Sequence, residues 1–366
     1  MYIWQQATWP EFTWDDATLS TLLAHVNKEQ GRLKGKLEAM GFKTQGEALL
    51  QTLTEDVIKS SDIEGEKLDS AQVRSSIARR LGMDIAGLVP ADRNVEGVVD
   101  MTLDATQKYD SPLTTKRLFD WHAALFPTGR SGMHEIIVGG WRDDSEGPMQ
   151  VVSGPVGLER VHFEAPPAQQ IPEEIVRFLE WFNQPKEIDP LLAAGLAHLW
   201  FISLHPFEDG NGRIARAIAD MVLAHGENSS QRSYSLSAQI REECDDYYKT
   251  LERAQKSSLD ITYWQAWFLD CLGRAIGHAH ENLDEALKKA RFWERYAREP
   301  LNERQIKVLN RAMDNFEGRL TSSKWAKIAK CSQDSAGRDI KDLIERGALR
   351  KDPGGGRSTS YSIVLD

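Results

Sequence analysis

The sequence predicts a mainly α-helical chain with one β-hairpin insertion and a C-terminal winged helix. Three observations carry this reading. Apolar residues recur at helical spacing through most of the chain. Residues 129–167 are instead rich in Gly, Pro and short β-prone pieces. The tail from Asn302 reads as three short amphipathic segments followed by a turn and an alternating strand.

Trp4, Trp9 and Trp14 open the chain at a spacing of five, which suits an extended stretch laying aromatics on a body better than one regular helix. Asp15 or Asp16 then caps a helix through Leu19, Leu22, Leu23 and Val26. A second apolar stripe through Leu49, Leu50, Leu53, Val57 and Ile58 ends near Gly65, and a third helix runs from Ser70 to about Gly82. The polar stretch Gly87–Asn94 precedes a helix pair, of which Leu113–Phe126 is bracketed by Pro112 and Pro127. In the β-prone region, Ile136-Ile137-Val138 and Met149-Gln150-Val151-Val152 are the expected strands of a hairpin or flap. Helical texture returns at Pro172–Phe182, Pro190–Ser203, Asn211–Leu223 and Glu242–Gln255, then at Thr262–Tyr296 as one helix or two. In the tail, helices are expected at Asn302–Met313, Ser322–Ala329 and Ser332–Glu345, the last two joined by a turn at Lys330–Cys331 as in a helix-turn-helix.

Composition bounds the function. The chain has 366 residues, 41% hydrophobic and 27% charged, the texture of a soluble globular protein of two or three domains. No apolar run approaches the roughly 20 residues that span a bilayer, and the start lacks a signal peptide's pattern. Cys244, Cys271 and Cys331 are scattered and odd in number, so no disulfide framework is expected and a cytoplasmic setting is. A net charge of -10 argues against indiscriminate nucleic-acid coating. The tail from Leu301 is the exception, with thirteen Lys/Arg against nine Asp/Glu, a local net of +4.

The chemistry concentrates at His205-Pro-Phe-Glu-Asp-Gly-Asn-Gly-Arg-Ile-Ala-Arg216. Pro206 stops one helix, and helical periodicity resumes at Arg213 through Ile214, Ala217, Ile218, Met221 and Val222. The Gly210-Asn211-Gly212 turn therefore stands at a helix N-terminus, where backbone N–H groups lack partners and bind phosphate. Arg213 and Arg216 lie three apart and can reach further phosphate oxygens. Asp209 is a hard oxygen donor suited to Mg²⁺, and His205 is placed to take a proton from an incoming hydroxyl. Phe207 reads as a core anchor. A helix-turn-helix corner would explain a lone surface His or Arg, but not all of these groups within twelve residues.

This string resembles, at every defined position, the HPF-x-D/E-GNGR-x-x-R signature of the Fic family of adenylyltransferases. Leu118–Phe126 is similar to the family's early helix, and Gly140-Trp-Arg142 through Pro167 to its substrate-guiding flap. The resemblance implies a Fic-type helical core over 91–290, a helical N-terminal domain over 1–90 and a winged helix over 298–366. It implies ATP as co-substrate and transfer of AMP to a Tyr, Thr or Ser hydroxyl of a protein, the chain itself included. His205 would be the base and Asp209 the Mg²⁺ ligand. Gly210, Asn211 and Gly212 would form the anion hole, and Arg213 and Arg216 would hold the β- and γ-phosphates. Tyr248 would line the adenine pocket, where Gln255 departs from a common Asn. Kinase relatives carry Lys at the position of Gly212, so Gly favours AMP transfer. Family members often dimerise, so a homodimer is a further expectation.

Ser60-Ser-Asp-Ile-Glu64-Gly65 resembles the family's inhibitory [ST]-x-x-x-E-[GN] motif. Ser60 and Glu64 are i, i+4 and share a helix face, and Gly65 can end that helix. Glu64 presented to Arg216 would take the place of the γ-phosphate. The same Glu could position a water that removes AMP, so a deadenylylase stands as an alternative.

Other motifs are weaker. Pro353-Gly-Gly-Gly-Arg-Ser-Thr-Ser360 lacks the end of a P-loop and suits a wing turn. His278 and His280 point apart on a helix, and His122 and His198 suit core or supporting positions. Ser335, Arg338 and Lys341 on the third tail helix, with Arg350, Lys351 and Arg357 beside the wing, fit DNA. Asp334, Asp339 and Asp342 dilute that face and leave protein docking as an equal reading, and a nucleotide-sensing DNA-binding regulator as the third function class.

Overall fold

The computed structural model describes residues 1–155, 158–185, 187–297, 300–313, 318–353 and 359–365, with Lys43 by its backbone alone. Arg357 and the glycines 354–356, expected at the wing, lie outside the described residues. Helix dominates, and the chain forms two compact units, Met1–Ala279 and His280–Asp366. Among the described residues no helix is long and apolar enough to cross a membrane.

The first unit opens with a 3₁₀ turn at Ile3–Gln5 and the three tryptophans. Trp4 Nε1–H donates to the Glu164 carbonyl at 2.7 Å and Trp9 Nε1–H to Glu174 Oε2 at 2.8 Å, so the aromatics do lie on a body, each with its polar edge satisfied. Helices α1 (Asp16–Glu38), α2 (Phe42–Ile63) and α3 (Ser70–Arg80) follow. Asp15 caps α1 and Asp69 caps α3 through backbone N–H groups. Next come α4 (Arg93–Gln107) and α5 (Thr115–Leu125). The β-rich insertion holds two hairpins. One pairs β1 (Arg130–Ser131) with β2 (His134–Glu135), and the other pairs β3 (Gln150–Ser153) with β4 (Arg160–Glu164) around a bulge between Val151 and Val152.

The expected strand at Ile136-Ile137-Val138 does not form. Ile136 N–H goes to the Gly129 carbonyl at 3.1 Å, just beyond the β1–β2 pairing, and Ile137 N–H goes to Glu208 Oε2 at 2.9 Å, so a distant side chain takes over where a ladder would continue.

The remaining helices of this unit are α6 (Ile171–Asn183), α7 (Pro190–Leu204), α8 (Asn211–Glu227), α9 (Leu236–Glu242) and α10 (Cys244–Gln255). The short α9 escaped the sequence reading. α11 (Thr262–Arg295) is a single helix within which the unit boundary falls. Every residue from Leu191 to Leu204 is buried, so α7 is apolar all round and forms the axis of the unit. α8 packs along it, with Ile214, Ala215, Ile218 and Ala219 buried. α2 lies against α8 and α9, which sets its last turn beside the His205–Arg216 loop.

The second unit contains α12 (Glu303–Met313), α13 (Ser322–Ala329) and α14 (Gln333–Glu345). Its sheet has three strands, β5 (Leu320–Thr321), β6 (Leu349–Lys351) and β7 (Ser360–Ile363), in the antiparallel order β5-β7-β6. The sequence reading anticipated the helices and the hairpin but not β5. Lys330, in the left-handed region at φ 50°, makes the turn between α13 and α14. Val308, Leu309, Trp325, Ala336, Ile340 and Leu343 fill a core of its own.

Candidate active site

α7 ends at Leu204, and His205 takes a left-handed conformation at φ 47°, ψ 56°. A non-glycine residue is strained there, and such strain persists only where the surroundings fix it. Arg142 supplies the fixing. Its guanidinium donates Nε–H to the His205 carbonyl at 2.8 Å and Nη2–H to the Pro166 carbonyl at 2.5 Å. Its backbone N–H donates to the Pro206 carbonyl at 3.0 Å. Asp144 holds the third edge of Arg142 at 2.9 Å and accepts the Ala168 N–H at 2.7 Å. The buried Arg142 thus ties the loop to both ends of the β3–β4 insertion.

The His205 ring meets the Ile202 carbonyl through Nδ1 at 3.3 Å. A carbonyl only accepts, so Nδ1 carries the proton and Nε2 keeps its lone pair. Burial pushes this imidazole down to about 4, which keeps it neutral near pH 7.

The rest of the loop is held from below. Phe207 is fully buried and stacks on the His122 ring at 4.2 Å between centroids and 7° between planes. Gly139 N–H donates to His122 Nδ1 at 3.2 Å, leaving Nε2–H to reach the Asp209 carbonyl at 3.2 Å. Burial pushes His122 down to about 4, so this neutral tautomer is the stable one. His198 is likewise a core residue, bonded to Tyr247 OH at 2.9 Å and pushed by burial down to about 3. Asn211 spends its side chain on the loop itself. It accepts Phe207 N–H at 3.0 Å and donates to the Phe207 carbonyl at 2.7 Å, so any contribution to an anion hole is by its backbone.

Gly210, at φ 80°, precedes α8 and turns the chain into it. Asp209, half-exposed, accepts Gly210 N–H at 2.5 Å on Oδ1 and the Ser131 hydroxyl on Oδ2. A carboxylate offers about four lone-pair positions, so capacity remains for a cation. Among the described residues no group of three or more His, Cys, Asp or Glu is placed to hold a metal. A Mg²⁺ at Asp209 would therefore draw most of its shell from phosphates and water, which is how this ion ordinarily binds with nucleotides. The donor set fits.

Opposite stands the end of α2. Glu64 Oε1 lies 2.8 Å from Arg216 Nη2, and Ser60 binds the same guanidinium through Oγ at 2.9 Å and its carbonyl at 2.8 Å. Glu66, which the sequence reading passed over, lies 2.6 Å from Arg213 Nη1. Both arginines are buried, and Arg213 Nε and Arg216 Nη1 have no hydrogen-bond partner among the described residues. A buried guanidinium N–H without a partner is costly, so these two are donors in want of an acceptor. Tyr248 is 43% exposed and its hydroxyl lies 3.4 Å from the Ile63 carbonyl, at the same turn of α2. Gln255 is buried and bonds Ser203 Oγ at 3.3 Å.

A signature loop with this geometry can be set against known proteins. Residues 112–223 match the Fic/DOC family, and residues 2–83 match a Domain of unknown function (DUF4172). The chain carries a Fic domain. The protein adenylyltransferase fic-1 of Caenorhabditis elegans is 27% identical over 163 residues, 44% of this chain and 30% of that protein. The protein adenylyltransferase Fic of Drosophila grimshawi is 24% identical over 231 residues, 60% of this chain and 41% of that protein. The chain thus spans less than half the length of these curated relatives. A Fic family protein from Desulfovibrio desulfuricans G20 shares the fold, with a TM-score of 0.55 at 19% identity over 97% of this chain and 98% of that one.

Within the Fic domain the structure brings His205, Asp209, Gly210, Asn211, Gly212, Arg213 and Arg216 into one loop and helix start, with Ser60, Glu64 and Gly65 facing them. The residues that sequence reasoning did not assign (Arg142, Ser131, Glu66) act across long sequence separations. Of the three only Arg142 had a local signal, the Gly140-Trp-Arg142 start of the flap.

Proposed function

We propose that this chain transfers AMP from ATP to a Tyr, Thr or Ser hydroxyl of a protein, itself included, and that Glu64 holds the activity in check. The observation that carries the reading is the convergence of a neutral His205 whose Nε2 keeps its lone pair, an α8 N-terminus and two buried arginines, each with an N–H that has no partner among the described residues. In the transfer, the target oxygen attacks the α-phosphorus and gives its proton to His205 Nε2. The bond between the α- and β-phosphates breaks, and pyrophosphate leaves. Little covalent help is required of the protein, and positioning with charge neutralisation does most of it. Arg213 and Arg216 take the β- and γ-phosphates, the N–H groups after Gly210 take the α-phosphate, and Tyr248 borders the adenine. Mg²⁺ held by Asp209 would neutralise charge on the phosphate tail. Glu64 on Arg216 stands where the γ-phosphate is needed.

The test is incubation of Glu64→Gly protein with Mg²⁺ and ATP labelled at the α-phosphate, beside a Glu64→Gly/His205→Ala control. Label on protein that disappears in the control supports the reading, and no label on itself or on cell extract overturns it.

A second reading concerns the tail. Of the three acidic residues expected to dilute α14, Asp339 turns inward and the half-exposed Asp342 is engaged by its neighbours. Asp339 is buried against Arg304 at 2.9 Å and Asn302 at 3.1 Å, and Asp342 bonds Gln305 at 2.7 Å and Arg346 at 3.0 Å. This leaves Arg338 exposed on the helix, beside a Lys341 paired with Glu345 at 3.8 Å, and supports a nucleic-acid reading of that face. A salt-dependent mobility shift with duplex DNA, lost in Arg338→Ala, is the expected result. No shift at low salt would remove DNA from the reading.

A further inference from the structure

α2 ends in a turn that presents two carboxylates. Glu66 N–H donates to the Ser61 carbonyl at 3.0 Å and Gly65 N–H to the Asp62 carbonyl at 3.2 Å. With Gly65 at φ +80°, these are the paired bonds of a Schellman closure. The closure folds residue 66 back toward the helix end, so Glu64 and Glu66 leave the turn toward the same target. Glu64 meets Arg216 at 2.8 Å and Glu66 meets Arg213 at 2.6 Å. The arginine side chains are 2% and 5% exposed, so both pairs are largely out of water on the cationic side.

We infer that Glu66 is a second, independent obstacle to polyphosphate, and that the resting pocket takes a nucleoside monophosphate in preference to a triphosphate. This rests on the nucleotide reading above and deepens it. A triphosphate needs both guanidiniums for its β- and γ-phosphates. Each guanidinium already has a carboxylate in hydrogen-bond contact, and the incoming charges are of the same sign as both. A monophosphate has no such need. Its one phosphate is served by the backbone N–H groups at the start of α8, where Glu64 packs over Gly212 but Glu66, engaged with Arg213, makes no hydrogen bond to them among the described residues. Removing Glu64 alone leaves Arg213 answered, so the site opens in two steps.

Glu66→Gln keeps the shape and removes the charge. Titration calorimetry of the full chain with Mg²⁺-ATP and with AMP reads the effect. ATP binding is expected to tighten by about tenfold in Glu66→Gln, the size of an ordinary coupling between two ligands of one protein. Glu64→Gln should tighten it similarly and the double variant further, while AMP affinity stays within about twofold in Glu66→Gln. Glu66→Asp keeps the charge but draws it back by a methylene, and should give a smaller gain. An unchanged ATP affinity in Glu66→Gln, or equal gains for ATP and AMP, overturns the inference while leaving the nucleotide reading intact. A double variant that binds no ATP overturns both.

Discussion

Glu64 lies directly over Gly212. A Cβ built on Gly212 would overlap Glu64 Oε1 and stand 3.0 Å from its Cδ. The absence of a side chain at 212 is thus required by the contact of Glu64 with Arg216, and on the proposed reading by close approach of phosphate as well. Gly212→Ala should expel Glu64 from Arg216 without restoring transfer, because the added methyl also crowds the phosphate seat. Hydrogen exchange over residues 60–66 is the readout. Exchange as slow as in the parent would show that Glu64 does not depend on the space above Gly212.

Gly65→Ala tests the turn itself. Nothing lies within 4 Å of an added Cβ, so the cost is backbone strain alone. A left-handed conformation costs a non-glycine residue about 1–2 kcal/mol, which corresponds to roughly a tenfold rise in the open population. Self-labelling from ATP should increase by about that factor. A lowered melting temperature with no gain in labelling would detach the turn from control of the site.

The pH profile reports on His205. On the proposed reading its imidazole would act as base only when neutral, and burial has pushed it down to about 4. The rate of the Glu64→Gly variant should stay level from pH 8 to about 5 and fall as pH drops through about 4. An acid limb near 6.5, the ordinary value for His, would mean that the ring is hydrated in the working enzyme.

Stability should carry a separate pH signature. Arg232 stands between two buried carboxylates, Asp220 at 2.6 Å and Asp56 at 3.0 Å, so one negative charge is left over. Burial pushes Asp220 up to about 7 from 3.8. Between those values the folded chain holds a proton that the unfolded chain has released, so this contribution is whole below about pH 4 and lost as pH rises through 7. The melting temperature of the parent should therefore fall more between pH 5 and pH 8 than that of Asp220→Asn. Identical slopes would show that Asp220 keeps its charge throughout.

The parts of the site written locally in the chain were the legible ones. His205 through Arg216 is one continuous string and Ser60 and Glu64 share a helix face at i, i+4, so spacing groups each set, while the resemblance to an inhibitory motif is what joins the two. Glu66 was invisible because its partner is 147 residues away and its direction depends on the turn at Gly65. Arg142 and His122 act on backbone carbonyls of the loop, and a carbonyl leaves no trace in residue identity. The helices followed from their apolar stripes, α7 most of all. Ile136–Val138 misled because an apolar run states burial and β propensity but not which groups its backbone will bond. Asp339 and Asp342 misled in the opposite way, since charge along a sequence does not tell which side chains fold back onto an arginine.

The Asp56 pair bears on how Arg216 would be uncovered. Asp56 is two turns above Glu64 on α2 and is fixed there by Arg232 and by Ser235 Oγ at 2.5 Å. With the upper helix pinned, the low-cost route to a bare Arg216 is unwinding from Ser60 onward, a fraying of a few residues. Such fraying is quick beside a domain rearrangement and loses few contacts. An activator on this route would have only to trap a stub of peptide that comes loose by itself, and when it leaves, the stub can re-form its helix without any search for its docking place.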